Sequence, residues 1–225
     1  MAANVELIHC GGGNRRFYEI AKTHGFLYGA QLPDTIYGPL HFADQDWKKP
    51  NRQKYMSELA KHRPFIASVL DWEQHDQLPE VLSWAEEAAQ YVQVVMIIPK
   101  VTWGVDRVPL VIGGRPVRLG YSVPTKFGGT STPIWEFGNR PVHLLGGNPH
   151  RQLALTHYLN VVSADSNFAQ RMAVKHCAFY EPDKKRHTKT YYWPTIQEAE
   201  GQKPDDAPYK AFARSCENIM RLWRR

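Results

Sequence analysis

The sequence predicts an α/β fold, a small or trimmed (β/α)8 barrel of the TIM type. Eight short apolar runs are spread along the chain, and most are followed by a helical segment or a long loop. Residues 65–70 are almost continuously apolar, which is typical of parallel strands buried on both faces. Residues 142–145 and 161–162 each lead directly into a helical segment. A doubly wound open sheet is the alternative.

The individual elements follow from local signals. Glycines at 11–13 end the first strand and Gly25 ends the first helix, whereas Pro50, Pro79 and Pro149 suit the first turn of a helix. The glycines at 113–114 indicate a small hairpin. The predicted strands are 5–10, 26–31, 40–44, 65–70, 92–99, 117–123, 142–145 and 161–162. The predicted helices are 15–24, 50–62, 79–91, one starting at 149, 168–174 capped by Ser166 or Asn167, and 209–225.

The domain boundary is expected near residue 175, where this pattern changes. Residues 1–175 would form the catalytic barrel and residues 176–225 a helical and aromatic extension that packs on it. A short strand is predicted at 177–180. The basic and aromatic residues of 183–194 suit either nucleic-acid binding or packing against the barrel, and the sequence favours neither.

Composition narrows the class of protein. The chain has 225 residues, 43% hydrophobic and 22% charged, enough for one sizeable core. Its net charge of +6 favours a polyanionic partner, with an ordinary basic protein as the alternative. Three widely spaced cysteines argue against a disulfide framework or a metal knuckle, so a cytoplasmic protein is expected. No run approaches the roughly 20 apolar residues of a membrane span. The oligomeric state is left open.

Acidic residues follow three of the predicted strands. If the strands form one barrel, these side chains meet at one rim, because the carboxyl ends of parallel strands share an edge. Two carboxylates there can divide labour between stabilising a sugar C1 and moving protons. Asp46 could equally cap the next helix. The acids are Asp44, Asp46, Asp71, Glu73 and Asp165.

Other chemistries have weaker support. No HxH or HExxH spacing accompanies the acids, so no metal or other cofactor is predicted, although an all-carboxylate Mg²⁺ site stays an alternative. No GxSxG motif supports a Ser/His/Asp triad. The loop of residues 124–139, rich in glycine, threonine and proline, is long enough to cover a site or to bind something.

A family resemblance enters with HLLGGNPHRQ (143–152) and VVSADSNFAQRMA (161–173). These motifs resemble the last two strand-helix units of the tRNA-guanine transglycosylases and their DNA-acting 7-deazaguanine relatives. The resemblance implies that Gly146 and Gly147, with Asn148, line a base pocket and that Asp165 is the nucleophile on C1 of the sugar. LDWE (70–73) resembles the strand end whose aspartate, here Asp71, transfers protons. Two positions of a further strand, Tyr121 and Ser122, would contribute to base recognition.

The resemblance covers residues 40–173 and has two departures. The family's cysteine-rich zinc site is absent from the sequence, and the chain is much shorter than the tRNA enzymes, which argues against tRNA as the substrate. The expected function is therefore a DNA glycosylase that removes a flipped-out, modified base. Modified bases occur in phage DNA, so the family suggests a role in phage defence.

DNA contacts follow from that expectation. The base would stack on Trp47, Trp72, Tyr121 or Phe127, near Asp44 and Asp46. Phosphates would be held by Lys48, Arg52, Lys126, Arg151 and Arg171. Three alternatives stay open. They are base exchange that inserts a 7-deazaguanine, a nucleic-acid-binding barrel without catalysis, and a barrel acting on a small metabolite.

Overall fold

Eight parallel strands close into a barrel in the computed structural model, which describes residues 5–12, 14–125, 129–185 and 191–224. The strands are β1 (Glu6–His9), β2 (Leu27–Leu32), β3 (Phe42–Gln45), β4 (Ile66–Ser68), β5 (Val94–Ile97), β6 (Val111–Ile112), β7 (Arg115–Ser122), β8 (Val142–Leu145), β9 (Val161–Ser166), β10 (Glu181–Lys185) and β11 (Tyr191–Tyr192). The α-helices are α1 (Arg15–Thr23), α2 (Arg52–His62), α3 (Leu78–Ala88), α4 (Pro149–Leu155), α5 (Phe168–His176), α6 (Ile196–Glu200) and α7 (Ala207–Trp223).

The strand order confirms the predicted barrel. Around the ring it runs β5-β4-β3-β2-β1-β9-β8-β7, and parallel pairing of β5 with β7 closes it. The short β6 pairs antiparallel with β7, which confirms the hairpin expected at 113–114. Closure brings the carboxyl ends of all eight barrel strands to one rim, where the predicted site lies.

The barrel is trimmed on one side. No α-helix follows β2, β5 or β7 in the described residues, whereas β1, β3, β4, β8 and β9 each lead to one. Near β1, the outer layer is completed by α7, which packs on α1 and α5. The ring of Phe212 lies 5.2 Å from Phe17 and 4.8 Å from His9, measured between centroids. The end of the chain therefore supplies an outer helix of the barrel.

Side chains alternate between the inside of the barrel and the helix layer. Outward residues such as Leu119 and Leu144 join the main core beneath the helices. A second apolar cluster fills the inside and consists of Ile8, Phe42, Ile66, Val94, Met96 and Ile98. The polar side chains of the site sit on the inward positions beside this cluster.

Local signals explain most helix starts. Asn14, Asn51 and Asn148 each cap a helix by accepting a hydrogen bond from a backbone N–H of the first turn, at 2.8–3.0 Å. Asp46 does not cap α2; its Oδ1 instead accepts from the backbone N–H groups of Lys48 and Lys49, which closes a turn ahead of the helix.

The strand predicted at 177–180 is wrong. Cys177 adopts a left-handed conformation with φ of 50°, and beyond it the segment makes only one isolated bridge, between Ala178 and Thr195. The backbone of Tyr180 bonds instead to Ser215 and Asn218 on α7, at 2.9 and 2.6 Å. Among the described helices, none has the length and apolar character that crossing a bilayer requires.

Candidate active site at the carboxyl end of the barrel

Three carboxylates occupy the rim that the sequence indicated. Asp44 and Asp165 end β3 and β9 and point inward, and Asp71 follows β4. The charges of both Asp165 and Asp71 raise the pKa of Asp44, which places Asp44 within electrostatic range of the other two. The side chains of Asp165 and Asp71 are 12% and 14% exposed, so each is largely enclosed and still reachable.

Asp165 is held as a hydrogen-bond acceptor. Its Oδ1 accepts from the backbone N–H of Gly146 at 3.2 Å and lies 3.1 Å from His143 Nε2. Gly146 has φ of 66°, a conformation that favours glycine, and a Cβ at this position would meet nothing within 4 Å. The glycine turn therefore provides a backbone N–H that hydrogen-bonds to Asp165, and the space beside the Cα of Gly146 is open.

His143 continues this contact into the barrel. Its ring is fully buried on β8, and its Nδ1 lies 2.6 Å from Ser163 Oγ. In the tautomer whose Nε2–H donates to Asp165, Nδ1 is an acceptor. The Ser163 hydroxyl then donates to Nδ1.

The chain of contacts ends at an ion pair. Arg118 Nη1 donates both to Ser163 Oγ and to Glu6 Oε2, each at 2.8 Å. Arg118 and His41 hold the pKa of Glu6 down at about 2, and the largest cause is His41, whose Nε2 lies 3.6 Å from Glu6 Oε2. A continuous series of polar contacts thus runs through the barrel from Glu6 to Asp165.

Asp44 has the opposite environment. Burial raises its pKa to about 7, and a hydrogen bond from Ser68 Oγ to its Oδ1, at 2.6 Å, only partly opposes this. No Lys or Arg forms an ion pair with Asp44 in the described residues. Asp44 therefore retains a proton close to neutral pH.

Asp71 is paired with a cation. Lys100 Nζ lies 2.6 Å from its Oδ2 and 3.3 Å from Glu73 Oε1. Burial raises the pKa of Asp71, and Lys100 opposes that shift. The ammonium makes Asp71 less suited than Asp44 to carry a mobile proton.

The remaining pocket residues lie around the glycine turn. Gln152 Nε2 donates to the carbonyls of Gly146 and Asp165, both at 2.7 Å, and so ties the turn to β9. Gly147 packs against Val123, where a Cβ would come within 2.6 Å of a methyl carbon. Asn148 caps α4. Ser122 ends β7 at an inward position.

Two predicted stacking residues are corrected. Trp72 is 0% exposed and donates from Nε1 to the Gln74 carbonyl, so neither face of its ring is free for a base. Tyr121 is 5% exposed, points outward into the helix layer and packs edge-on against Phe137 at 5.4 Å. Trp47 is 53% exposed on the loop after β3, with Lys48 Nζ 5.2 Å from its ring centre.

The predicted DNA-binding residues have different surroundings. Lys48 is exposed, whereas Arg52 is engaged within the protein, 2.7 Å from Glu87 and bonded to Ser83. Arg151 donates to the Pro124 carbonyl. Arg171 is exposed on α5 with its guanidinium 5.7 Å from the Phe168 ring centre. Lys126 and the predicted stacking residue Phe127 lie outside the described residues.

Several residues of the site were missed in the sequence. They are His143, Ser163, Arg118, Ser68 and Lys100. His143 is the only polar residue in the apolar run of residues 142–145, and this was the signal in the sequence that could have indicated a role in the site. In the described parts of the chain, no group of three His, Cys, Asp or Glu side chains is arranged to hold a metal ion.

Comparison with known proteins gives a family and no activity. No curated protein and no solved structure is similar enough to match the chain. The model of DUF6610, a family of unknown function, matches residues 22–224, which include seven of the eight barrel strands, from β2 onward, and α7. The chain therefore belongs to this family.

Proposed function

We propose that the protein is a DNA glycosylase that cleaves the N-glycosidic bond of a modified base flipped out of the helix. The observation that carries the proposal is the contrast between two carboxyl groups at one rim. Asp165 Oδ1 accepts a hydrogen bond from the backbone N–H of Gly146 and lies 3.1 Å from His143 Nε2, whereas burial raises the pKa of Asp44 to about 7. Enzymes that cleave glycosidic bonds use such pairs, with one group ionised and the other able to transfer a proton.

The proposed reaction has two steps. An oxygen of Asp165 attacks C1 of the deoxyribose, the bond from C1 to the base nitrogen breaks, and the base leaves with the proton of Asp44. Water then attacks C1, the bond to Asp165 breaks, and Asp44 takes the proton of the water. The products are a free base and an abasic site.

His143 acts in this scheme as a positioning residue. Its Nε2–H and the N–H of Gly146 both contact Oδ1 of Asp165, which orients the carboxylate. Ser163 and Arg118 in turn fix the His143 ring. The assignment of Asp44 to proton transfer replaces Asp71, whose carboxylate is paired with Lys100.

The polyanionic substrate is supported by the net charge of +6 and by exposed basic residues at the rim, such as Lys48. A base must leave the stack to reach carboxylates that are as enclosed as Asp71 and Asp165. Phage DNA with modified bases is the proposed biological target.

The test is release of bases from phage DNA that carries modified bases, with unmodified DNA as the control. Abasic sites are counted after incubation with the wild-type protein or with Asp165→Asn. We expect abasic sites with the wild type, and a loss of several orders of magnitude with the variant, since a covalent nucleophile is removed.

Three results would contradict the proposal. Product that forms only when free 7-deazaguanine is added would indicate base exchange. Unchanged turnover in Asp165→Asn would exclude Asp165 as the nucleophile. DNA binding without base release, equal in both proteins, would indicate a binding barrel.

A further inference from the structure

Three of the seven tryptophans are exposed, and each lies in a segment that leaves the carboxyl end of a barrel strand. Trp47 follows β3, Trp103 follows β5 and Trp135 follows β7, with exposed fractions of 53%, 74% and 62%. The other four tryptophans are buried or half-buried. Exposed tryptophans confined to the segments that leave the rim bearing the carboxylates indicate a binding surface.

Trp103 and Trp135 form a pair. Their ring centroids are 5.0 Å apart and the planes are inclined by 57°. Trp103 has φ of 59°, a conformation that is strained for a bulky residue. The fold thus keeps this large ring in solvent against both hydrophobic burial and backbone preference.

The two loops that carry the pair are fastened together. The Glu136 carboxylate accepts from the backbone N–H groups of Trp103 and Gly104, at 2.9 and 3.3 Å. Thr130 and Thr132 donate to the carbonyl of Pro99 at 2.7 and 3.1 Å. The exposed rings therefore sit on a braced support, which lowers the entropic cost of binding.

The support is connected to the candidate active site. Lys100, which contacts Asp71, is three residues before Trp103, so their Cα atoms are at most about 11 Å apart. Asp71 in turn is within electrostatic range of Asp44. Trp103 therefore lies within a few residues of the rim that bears the carboxylates, and Trp135 is in ring contact with it.

We propose that Trp103 and Trp135 form a stacking platform for the unpaired bases beside the target nucleotide. This inference rests on the proposed function and adds to it a part of the substrate that the site would recognise. Flat aromatic rings bind bases with little regard to sequence, because every base has a π-face. Opening the helix around a flipped nucleotide exposes such faces.

Charge around the pair is mixed, since Asp106 and Arg107 are both exposed on the same loop. The platform therefore contributes affinity through stacking, whereas Lys48 near Trp47 contributes through phosphate contacts. The two contributions differ in salt dependence, because only the loss of a phosphate contact lowers the slope of log K against log salt.

The test measures binding of a fluorescent 20-nucleotide single-stranded DNA to the full-length protein. We expect Trp103→Ala and Trp135→Ala each to weaken binding by about 5-fold to 100-fold with an unchanged salt slope. The phenylalanine variants at both positions should restore most of the affinity. Tyr158→Ala is the matched control, because Tyr158 is 71% exposed between α4 and β9, at the opposite end of the barrel.

Thermal unfolding of each variant shows whether the fold is intact. Where an alanine variant has a lowered melting temperature, the platform is tested by the DNA affinity of the phenylalanine variants instead. Binding of the double alanine variant within two-fold of wild type, or no binding of the DNA by the wild type, would overturn the platform. The base-release assay separates the two proposals. DNA binding that depends on the two rings, without base release, would support the platform and contradict the glycosylase. Base release with an unchanged KM in the double alanine variant would support the glycosylase and contradict the platform.

Discussion

Glu6 and Asp44 both point into the same barrel, yet their pKa values move in opposite directions. Glu6 lies at the amino end beside Arg118 and His41, and its pKa is lowered to about 2. Asp44 lies at the carboxyl end beside Ser68 and two further aspartates, and its pKa is raised to about 7. Burial raises both values, but Asp44 is the more deeply buried of the two and Glu6 has a cationic partner, so the difference comes from the depth of burial together with the neighbours.

This contrast distinguishes a structural region at the amino end of the barrel from a candidate catalytic region at the carboxyl end. The amino end of the barrel contains a paired carboxylate, as expected for a structural ion pair. The carboxyl end concentrates like charges without a cation for Asp44, an arrangement that costs stability and is typical of functional sites. The polar chain through Arg118, Ser163 and His143 connects the two ends.

The largest effect on stability is expected from Arg118→Met. Removing the cation leaves Glu6, whose side chain is 30% exposed, without its guanidinium partner, and because solvent reaches that carboxylate we expect the lower end of the range for buried pairs, about 3 kcal/mol in the free energy of unfolding. Urea unfolding at pH 7 measures the loss. The double variant Glu6→Gln with Arg118→Met should recover most of it, and a single variant as stable as wild type would show that the ion pair has no structural role.

The next effect concerns Asp44 and pH. Because the folded pKa of about 7 lies above the unfolded value of about 3.8, the folded protein binds more protons between these pH values. Stability therefore falls as pH rises from about 4 to 7, by on the order of 3 kcal/mol. Glu6 has the opposite sign, since its stabilisation is lost as pH falls from about 4.5 towards 2.

The profile of stability against pH thus has an upper limb, the loss above about pH 4 caused by Asp44, and a lower limb, the loss below about pH 4.5 caused by Glu6. Asp44→Asn should remove the upper limb and keep the lower one. At pH 8 the variant should be more stable than wild type, because no charge has to be buried. Glu6→Gln should remove the lower limb instead. Unfolding midpoints from pH 3 to 8 test both, and a variant that follows the wild-type profile throughout would contradict the assigned environment of Asp44.

The fold was predictable because its signals are local. Each buried strand is a short apolar run, and Pro149 with Asn148 is enough to start a helix. The partners of the site are not local. Arg118 meets Glu6 across 112 residues and Ser163 across 45, and such contacts depend on which strands are neighbours and how far they are staggered around the ring.

The two Asp-Trp motifs also show that local sequence does not predict the burial of a tryptophan. Asp46-Trp47 and Asp71-Trp72 both follow a strand, and the sequence treats them alike. Trp72 continues the pairing of its strand through a bridge to Pro99 and becomes fully buried, whereas Trp47 follows a turn closed by Asp46 and stays exposed. Burial here depends on the path of the chain beyond the strand.

A smaller effect is expected from His143→Gln if the proposed function holds. The carboxylate of Asp165 would keep the donor from Gly146 and lose the fixed ring, so we expect kcat for base release to fall by about 10-fold to 100-fold with KM unchanged. His143→Leu should fall further, because no donor replaces Nε2. Equal kcat values in both variants and wild type would contradict a positioning role.

The smallest effect is expected from Ser68→Ala, which changes the environment of Asp44 and leaves that of Glu6 unchanged. The Ser68 hydroxyl donates to Asp44 and so favours the carboxylate, although burial outweighs it. Without this bond the pKa of Asp44 should rise above 7 by about one unit, since a hydrogen bond to a charged group is worth about 1.5 kcal/mol. The upper limb of the stability profile should move to higher pH, whereas the lower limb, which depends on Glu6, should stay in place. Movement of both limbs together would mean that the two ends of the barrel are coupled through the polar chain.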